Sequence, residues 1–482
     1  MGRWVKHIIF ILMFLVLCFP LIQQNTGFIN VRGLRGAGEP PEWPRFSLNT
    51  WSDGSFQADA ENTVEQRIGF RPALIRIKNQ LEYSLFCKAN AKGVVVGRNR
   101  YLFEADYLRA YAGGDYPGDW FWNEKFRRAG MVRDTLQELG VDLAIVIEPS
   151  KASYYKEYIP EEYIISDYGI KNNYDALMEG CQRENINTID LYSYFIDLKE
   201  QAPFPLFPKG GIHWSYYGML RAMDTILPAV EYLTGKNVPE MNKGPLEPEK
   251  ALRGTDDDLA QLMNLVFKPS HPDMTYPDIS FEDVADTARP RVLAISDSFY
   301  FNIMNAGITE KAFANSAFWY YNVEIYPESW SQRKDTSMIN YRTEVESMDL
   351  VMVMITERFF YKFAWAFFDR LFNIYFPHEP IDYRYDYTSR IISHYKWFDE
   401  VVAESELKGV SVEQGLEDHS GFQFWQDEQK GLLVRNQSFY EMKIRHNEDW
   451  MKQIREKAEK NGISVDRQIE LDAAWTLENS KN

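Results

Sequence analysis

An α/β fold, a mostly parallel sheet with helices on both faces, is predicted by three runs of this chain: 141–147, 291–295 and 350–355. Each is a short, continuous apolar segment, the pattern of a strand covered on both sides. Amphipathic stretches separate them, and strands alternating with helices indicate parallel order. Ligands of such sheets sit beyond the carboxyl ends of the strands. Ser150, Ser298 and Thr356 all fall at those ends.

The remaining elements follow in chain order. Residues 1–27 hold an apolar run preceded by Arg3 and Lys6, with no charged residue between Lys6 and Arg32 and no small-residue cleavage site after it. This predicts an uncleaved signal anchor that spans the membrane, with a cytoplasmic N-terminus and the bulk of the chain extracytoplasmic. Residues 28–60, rich in Gly and Pro, form a linker without period. From 61 to 398 the sequence supports one α/β domain. Val64, Ile68, Leu74, Ile75, Ile77, Leu81 and Leu85 recur at helical spacing around the interruption Gly69-Phe70-Arg71-Pro72. A hairpin is expected at 93–103. Helices are expected at 123–139, 174–184 and 214–234, the last stopped by Gly235. A short strand is expected at 188–191, and a helix from about Ser298. Residues 399–482 form a C-terminal extension. It is polar and strand-poor to 436, then a helix pair broken at Asn461-Gly462, with Asp449 or Ser464 as a cap.

Composition narrows the function. The net charge of −17 argues against nucleic acid and against binding an anionic membrane through a basic face. The three cysteines, Cys18, Cys87 and Cys181, form neither a Cys-x-x-Cys nor a zinc spacing; Cys87 and Cys181 are either one disulfide or two free thiols. No metal and no organic cofactor is implied, because no phosphate-binding glycine loop or ligand cluster stands out.

Two motifs carry chemistry. Ser298 lies in Ser296-Asp297-Ser298-Phe299, at a strand-to-helix corner that exposes the hydroxyl and brings backbone N–H groups near it. Asp-Ser at a strand end also serves as a helix cap. A serine needs a base, and His213 is the one histidine in a glycine-rich turn opening a helix, Gly210-Gly211-Ile212-His213-Trp214. Arg98 and Arg358, near strand ends, either face the cleft, where an arginine would attract a carboxylate or an oxyanion, or form surface ion pairs, the reading favoured here.

Taken in order, Val96-Gly97-Arg98 with Tyr101-Leu102-Phe103, Glu148-Pro149-Ser150-Lys151 with Tyr155, Phe207-Pro208-Lys209 with His213-Trp214-Ser215 and Gly218, and Ser296-Asp297-Ser298-Phe299 resemble the alginate O-acetyltransferase family of the AlgJ/AlgX type. The resemblance covers about residues 60–375. It implies an SGNH-hydrolase-like, flavodoxin-like fold and O-acetylation of an exported polysaccharide. A membrane-bound O-acyltransferase would be the partner that supplies acetyl. By motif position it also implies Ser298 as the acyl carrier and His213 as the base. The departure is at Gly211, where the family's Asp-x-His motif carries the acid that orients the histidine. Substitutes are Asp190, one of Asp256, Asp257 and Asp258, or a backbone carbonyl. The alternatives are a carbohydrate acetylesterase and a non-catalytic glycan-binding or assembly protein.

Overall fold

The computed structural model of the protein describes residues 3–163, 171–315 and 317–480. The chain divides into two compact units. The first comprises the chain up to Ala105 with Pro208–Ile212 and Lys250–Pro272; the second comprises Asp106–Phe207, His213–Glu249 and the chain from Asp273 onward.

In the first unit, an apolar helix Arg3–Thr26 has the length and composition of a membrane span. The stretch read as a linker is partly helical. Ser47 caps Leu48–Ser52 through a capping box, and the next helix, Ser55–Arg67, begins inside the stretch. The Gly69–Pro72 interruption falls as expected between Ser55–Arg67 and Arg71–Phe86, with Pro72 in the first turn of the second helix, where its missing N–H costs nothing. Val94–Val96 and Leu102–Glu104 pair antiparallel, with Val95 opposite Phe103. A small core of Tyr83, Val94, Leu102, Leu259, Ala260 and Met263 closes the unit.

The second unit holds the predicted sheet, whose strands are β1 (Asp142–Glu148), β2 (Asn187–Asp190), β3 (Val292–Ser296), β4 (Ala317–Tyr320), β5 (Glu324–Tyr326) and β6 (Leu350–Thr356). Their order is β2-β1-β6-β3-β4-β5. All neighbours are parallel except β4 and β5, which run antiparallel. The three apolar runs of the sequence are therefore the three adjacent central strands β1, β6 and β3. Their residues are almost wholly buried because helices cover both faces. Helices Asp119–Glu138, Asn173–Arg183 and Tyr216–Thr234 match the expected positions within a few residues, and Gly235 ends the last in a left-handed cap. The helix expected from Ser298 starts two residues later, at Tyr300, because 297–299 are spent on a turn.

Residues 383–479 fold as six helices. Those within the polar stretch, Tyr395–Lys408 and Val412–Gln429, bury Phe398, Val401, Leu416 and Phe424. The break at Gly462 is present and Ser464 caps the last helix. Asn447, two residues before Asp449, caps the one before it. A buried ionic network joins this helical part to the sheet domain. Lys125 donates to Asp369 at 2.6 Å, and the Tyr385 hydroxyl donates to the other oxygen of Asp369 at 2.5 Å. Arg128 pairs with Glu124 at 3.0 Å and stacks 3.9 Å from the Tyr385 ring. All three cysteines are free, Cys181 buried and Cys87 exposed.

Removing one member of a buried pair leaves an uncompensated charge, which costs about 3–5 kcal/mol. Lys125→Met is therefore expected to lower stability by about that amount, and a Lys125→Met/Asp369→Leu double substitution to recover part of it; urea unfolding followed by tryptophan fluorescence measures both.

Candidate active site

The site forms at the carboxyl ends of β3 and β6. After Ser296 the chain turns sharply, and Asp297 holds the turn. Its carboxylate is completely buried. One oxygen accepts from the Phe299 amide at 2.9 Å; the other accepts from the Thr356 hydroxyl at 2.5 Å and the Thr356 amide at 3.3 Å. Two of these donated bonds fix the loop after β3 to the end of β6, and the third closes the turn. Burial pushes Asp297 above the usual carboxylate range, while the Thr356 hydroxyl, the Phe299 amide and the charge of His213 pull it back.

His213 is positioned from the other side. Ser215 caps the helix Tyr216–Thr234 by accepting from the Gly218 amide, and its hydroxyl donates to the Pro205 carbonyl at 2.6 Å. Trp214 is fully buried and meets the Phe299 ring edge-on at 5.3 Å. The His213 ring lies 4.9 Å from the same phenylalanine. Held this way, His213 Nε2 stands 2.9 Å from Ser298 Oγ. The two residues singled out by sequence thus meet at hydrogen-bonding distance, the geometry a general base requires.

The acid question also takes a definite form. A Cβ at Gly211 would stand 2.4 Å from the Thr255 carbonyl oxygen and 3.1 Å from the Asp256 carbonyl carbon. The 255–256 backbone fills the space an aspartate side chain would need, so the residue is glycine for steric reasons. Among the substitutes, Asp190 is engaged by the Tyr174 hydroxyl and the Ser193 amide. Asp257 is engaged by Lys268 and Gln261, and Asp258 accepts from the Ile212 and Leu259 amides. Asp256 is buried.

Sequence reasoning quoted Asp297 only as part of a motif and Thr356 only as a strand-end residue. Their joint role was not foreseen, since it depends on β6 lying beside β3, an adjacency that sequence order hides. It also missed two buried acids on the neighbouring strands. Glu148 pairs in register with Thr356. Burial, and then the charge of Asp297, raise it well above the usual range, and neither of its oxygens has a hydrogen-bond partner among the described residues. Glu357 is pushed up to about 7 by burial, against the lowering bonds of Ser150 and Ser153. Arg358, as expected, makes an ion pair, 3.0 Å from Asp106. Arg98 lies in the turn between the hairpin strands.

A cavity of about 500 Å³ opens at the same strand ends, lined by Tyr321, Arg358, Phe359, Lys362, Trp365 and Tyr395 among others. The Tyr321 amide donates to the Ser296 carbonyl, which ties this wall to the serine turn. Residues Phe363, Ala364, Trp365 and Ala366 all have positive φ, a left-handed turn without glycine. The Asn322 side chain, itself on a left-handed residue, holds the Trp365 carbonyl at 3.0 Å. Each such residue costs about 1–2 kcal/mol, and strain of this kind clusters at ligand clamps. Lys362 makes no salt bridge among the described residues and lies 5.5–5.9 Å from the rings of Phe359, Tyr361 and Tyr395. Burial, then the nearby Arg358, lowers its ammonium to about 8.

Glu357 gives a pH prediction. The folded chain keeps its proton up to about pH 7, whereas an unfolded glutamate loses it near 4.5. Its favourable contribution is complete below pH 4.5 and is lost as the pH rises through 7, a span worth about 3 kcal/mol. Glu357→Gln, neutral throughout, is expected to gain stability relative to wild type between pH 4.5 and 7; thermal unfolding of both across that range is the measurement.

Comparison with known proteins bears on the same region. Residues 94–290 match the family described as SGNH hydrolase-like domain, acetyltransferase AlgX. The chain is 24% identical over 204 residues to the probable alginate O-acetylase AlgJ of Pseudomonas putida, which covers 42% of this chain and 51% of that protein. The chain thus spans about half the length of that relative. Among solved structures it is similar to the O-acetyltransferase domain of P. putida AlgJ, with 21% identity, 58% of this chain and 99% of that one covered, and a TM-score of 0.40. It is also similar to Pseudomonas aeruginosa AlgX, with 15% identity, 55% and 62% covered, and a TM-score of 0.36.

Proposed function

We propose that this chain, whose residues 94–290 are of the AlgJ/AlgX type, is an O-acetyltransferase that acts on an exported polysaccharide through a serine ester. The observation that carries the reading is the 2.9 Å contact between His213 Nε2 and Ser298 Oγ at the carboxyl edge of a parallel sheet. His213 takes the hydroxyl proton as Ser298 Oγ attacks the acetyl carbonyl of the donor, and returns it to the leaving group. An acceptor hydroxyl then attacks the acetyl-serine; His213 takes that proton and passes it to Ser298 Oγ as the ester breaks.

The Phe299 amide is already bound to Asp297, so the oxyanion donor is the amide of Ser298 itself, which donates to no group among the described residues. Asp297 adds a second effect. Buried and accepting three bonds, its negative charge stabilises the imidazolium that each proton transfer creates. The acceptor sugar occupies the cavity beside Tyr321, with its ring on the aromatic wall and an acidic substituent at Lys362.

The apolar helix Arg3–Thr26 anchors the chain, and the rest faces the periplasm or its equivalent, where a membrane-bound acyltransferase supplies acetyl. Hydrolysis, with water as acceptor, uses the same residues, and a water-filled acceptor cavity would turn transferase into esterase.

The test is turnover of an activated acetyl ester by the purified chain. Ser298→Ala and His213→Ala are each expected to cut the rate by at least about 10³-fold with folding intact; equal rates in all three proteins would refute the mechanism. Lys362→Met is expected to raise KM for an acidic oligosaccharide acceptor while leaving ester hydrolysis nearly unchanged, a split that separates acceptor binding from chemistry.

A further inference from the structure

The helix Arg71–Phe86 turns its apolar side away from the protein. Its buried residues are Asn79 and Tyr83. Leu74, Ile77, Leu81 and Leu85 are 51%, 50%, 53% and 68% exposed. At about 100° per residue these four fall on one stripe, opposite the Asn79 and Tyr83 side. A helix of a water-soluble surface does the reverse, and a contiguous exposed apolar stripe marks an interface.

The start of this helix is fixed to the apolar helix Arg3–Thr26. The Gly69 backbone lies so close to Pro20 that a Cβ would stand 1.9 Å from the Pro20 carbonyl oxygen. The Phe70 amide donates to Gln23 Oε1 at 3.1 Å, and the Phe70 ring packs 5.0 Å from Phe19 and 6.2 Å from Phe28. The outward stripe therefore begins where the apolar helix approaches its end.

The charges nearby have one sign in excess. Arg71 stands in the first turn, and Lys78 and Lys88 border the stripe and share Glu82 between them at 3.9 and 3.8 Å. Arg32, Arg35 and Arg76 line a cavity of about 510 Å³ together with Asp257, on the inward side of the helix, so the basic flank of the stripe is Arg71, Lys78 and Lys88.

We propose that the helix Arg71–Phe86 lies in the headgroup boundary of the bilayer, its stripe immersed among acyl chains and its basic flank against the phosphates of anionic lipids. The apolar helix and the surface helix together hold the chain to the membrane at two angles rather than at one flexible tether. The proposal rests on the reading of Arg3–Thr26 as a membrane segment.

The test uses the full chain with Cys18→Ser and Cys87→Ser, which leaves only the buried Cys181, and adds one reporter site, Phe14→Cys or Leu81→Cys. Each carries an environment-sensitive fluorophore in vesicles of phosphatidylcholine and phosphatidylglycerol. Both reporters are expected to be quenched by nitroxide-bearing lipids and shielded from aqueous iodide. Leu81 should respond more to a nitroxide near the headgroup than to one deep in the bilayer. Iodide quenching at Leu81 with lipid quenching only at Phe14 overturns the proposal, leaves the anchor standing, and points to a protein as the cover of the stripe. Loss of lipid quenching at both positions overturns the anchor reading and the proposal with it.

Discussion

The buried carboxylate of Asp297 is the constraint on which the site depends. It accepts from a backbone amide on its own turn and from the hydroxyl and amide of a residue on the neighbouring strand. A charge-assisted bond of this kind contributes about 1.5–3 kcal/mol, and the charge would be costly to bury without such partners. The consequence is geometric. Ser298 follows Asp297 directly, so clamping Asp297 to Thr356 fixes the direction of the Ser298 hydroxyl relative to the sheet. Phe299 then carries the constraint across. Its amide is held by Asp297, and its ring is packed between His213 and Trp214. One residue thereby sets the spacing between Ser298 and His213, through a hydrogen bond on one side and ring packing on the other.

That clamp explains why two further acids can be tolerated beside it. Glu148 sits opposite Thr356, buried and near the Asp297 charge. Two carboxylates in one dry place do not both ionise. Asp297 has the hydrogen-bond donors and Glu148 has none among the described residues, so Glu148 is the more strongly raised of the two. Glu357, which follows Thr356 in the chain and is bound by Ser150, is pushed up to about 7 by burial. The three acids are thus graded by their surroundings, with hydrogen-bond donors at Asp297 and Glu357 and none among the described residues at Glu148.

Much of this is written in local sequence, and the rest is not. The strands β1, β3 and β6 were legible because burial on both faces demands unbroken apolar runs, and Ser298 and His213 because each sits where a strand or helix begins or ends. The strands β4 and β5 were not. They are short, and the pairing of β4 with β3 depends on a tertiary register that no local pattern encodes. The helices Tyr395–Lys408 and Val412–Gln429 hid behind polar residues because each buries only a narrow stripe. The left-handed run at Phe363–Ala366 contains no glycine, so no residue type announces it. Gly211 looked like a lost acid. Only the backbone of 255–256, distant in sequence, shows it as a glycine required by close approach.

The helix Arg71–Phe86 teaches a different limit. Its periodicity was read correctly as a helix, yet periodicity reports that one face differs from the other and says nothing about which solvent each face meets. The pattern usually points inward because water is the usual surroundings. Here the inward side carries Asn79, whose amide donates to the Met263 carbonyl at 2.8 Å, and Tyr83 against the small core. A polar residue satisfied inside and four apolar residues outside is a consistent arrangement only if the outside is not water. The tie from Gly69 and Phe70 to Pro20 and Gln23 fixes the start of this helix to the apolar helix Arg3–Thr26, and on the proposed reading of that helix as an anchor the stripe starts in the interface. The inversion of the face and the attachment to the apolar helix are independent observations, one of burial and one of chain geometry, and the proposed bilayer accounts for both.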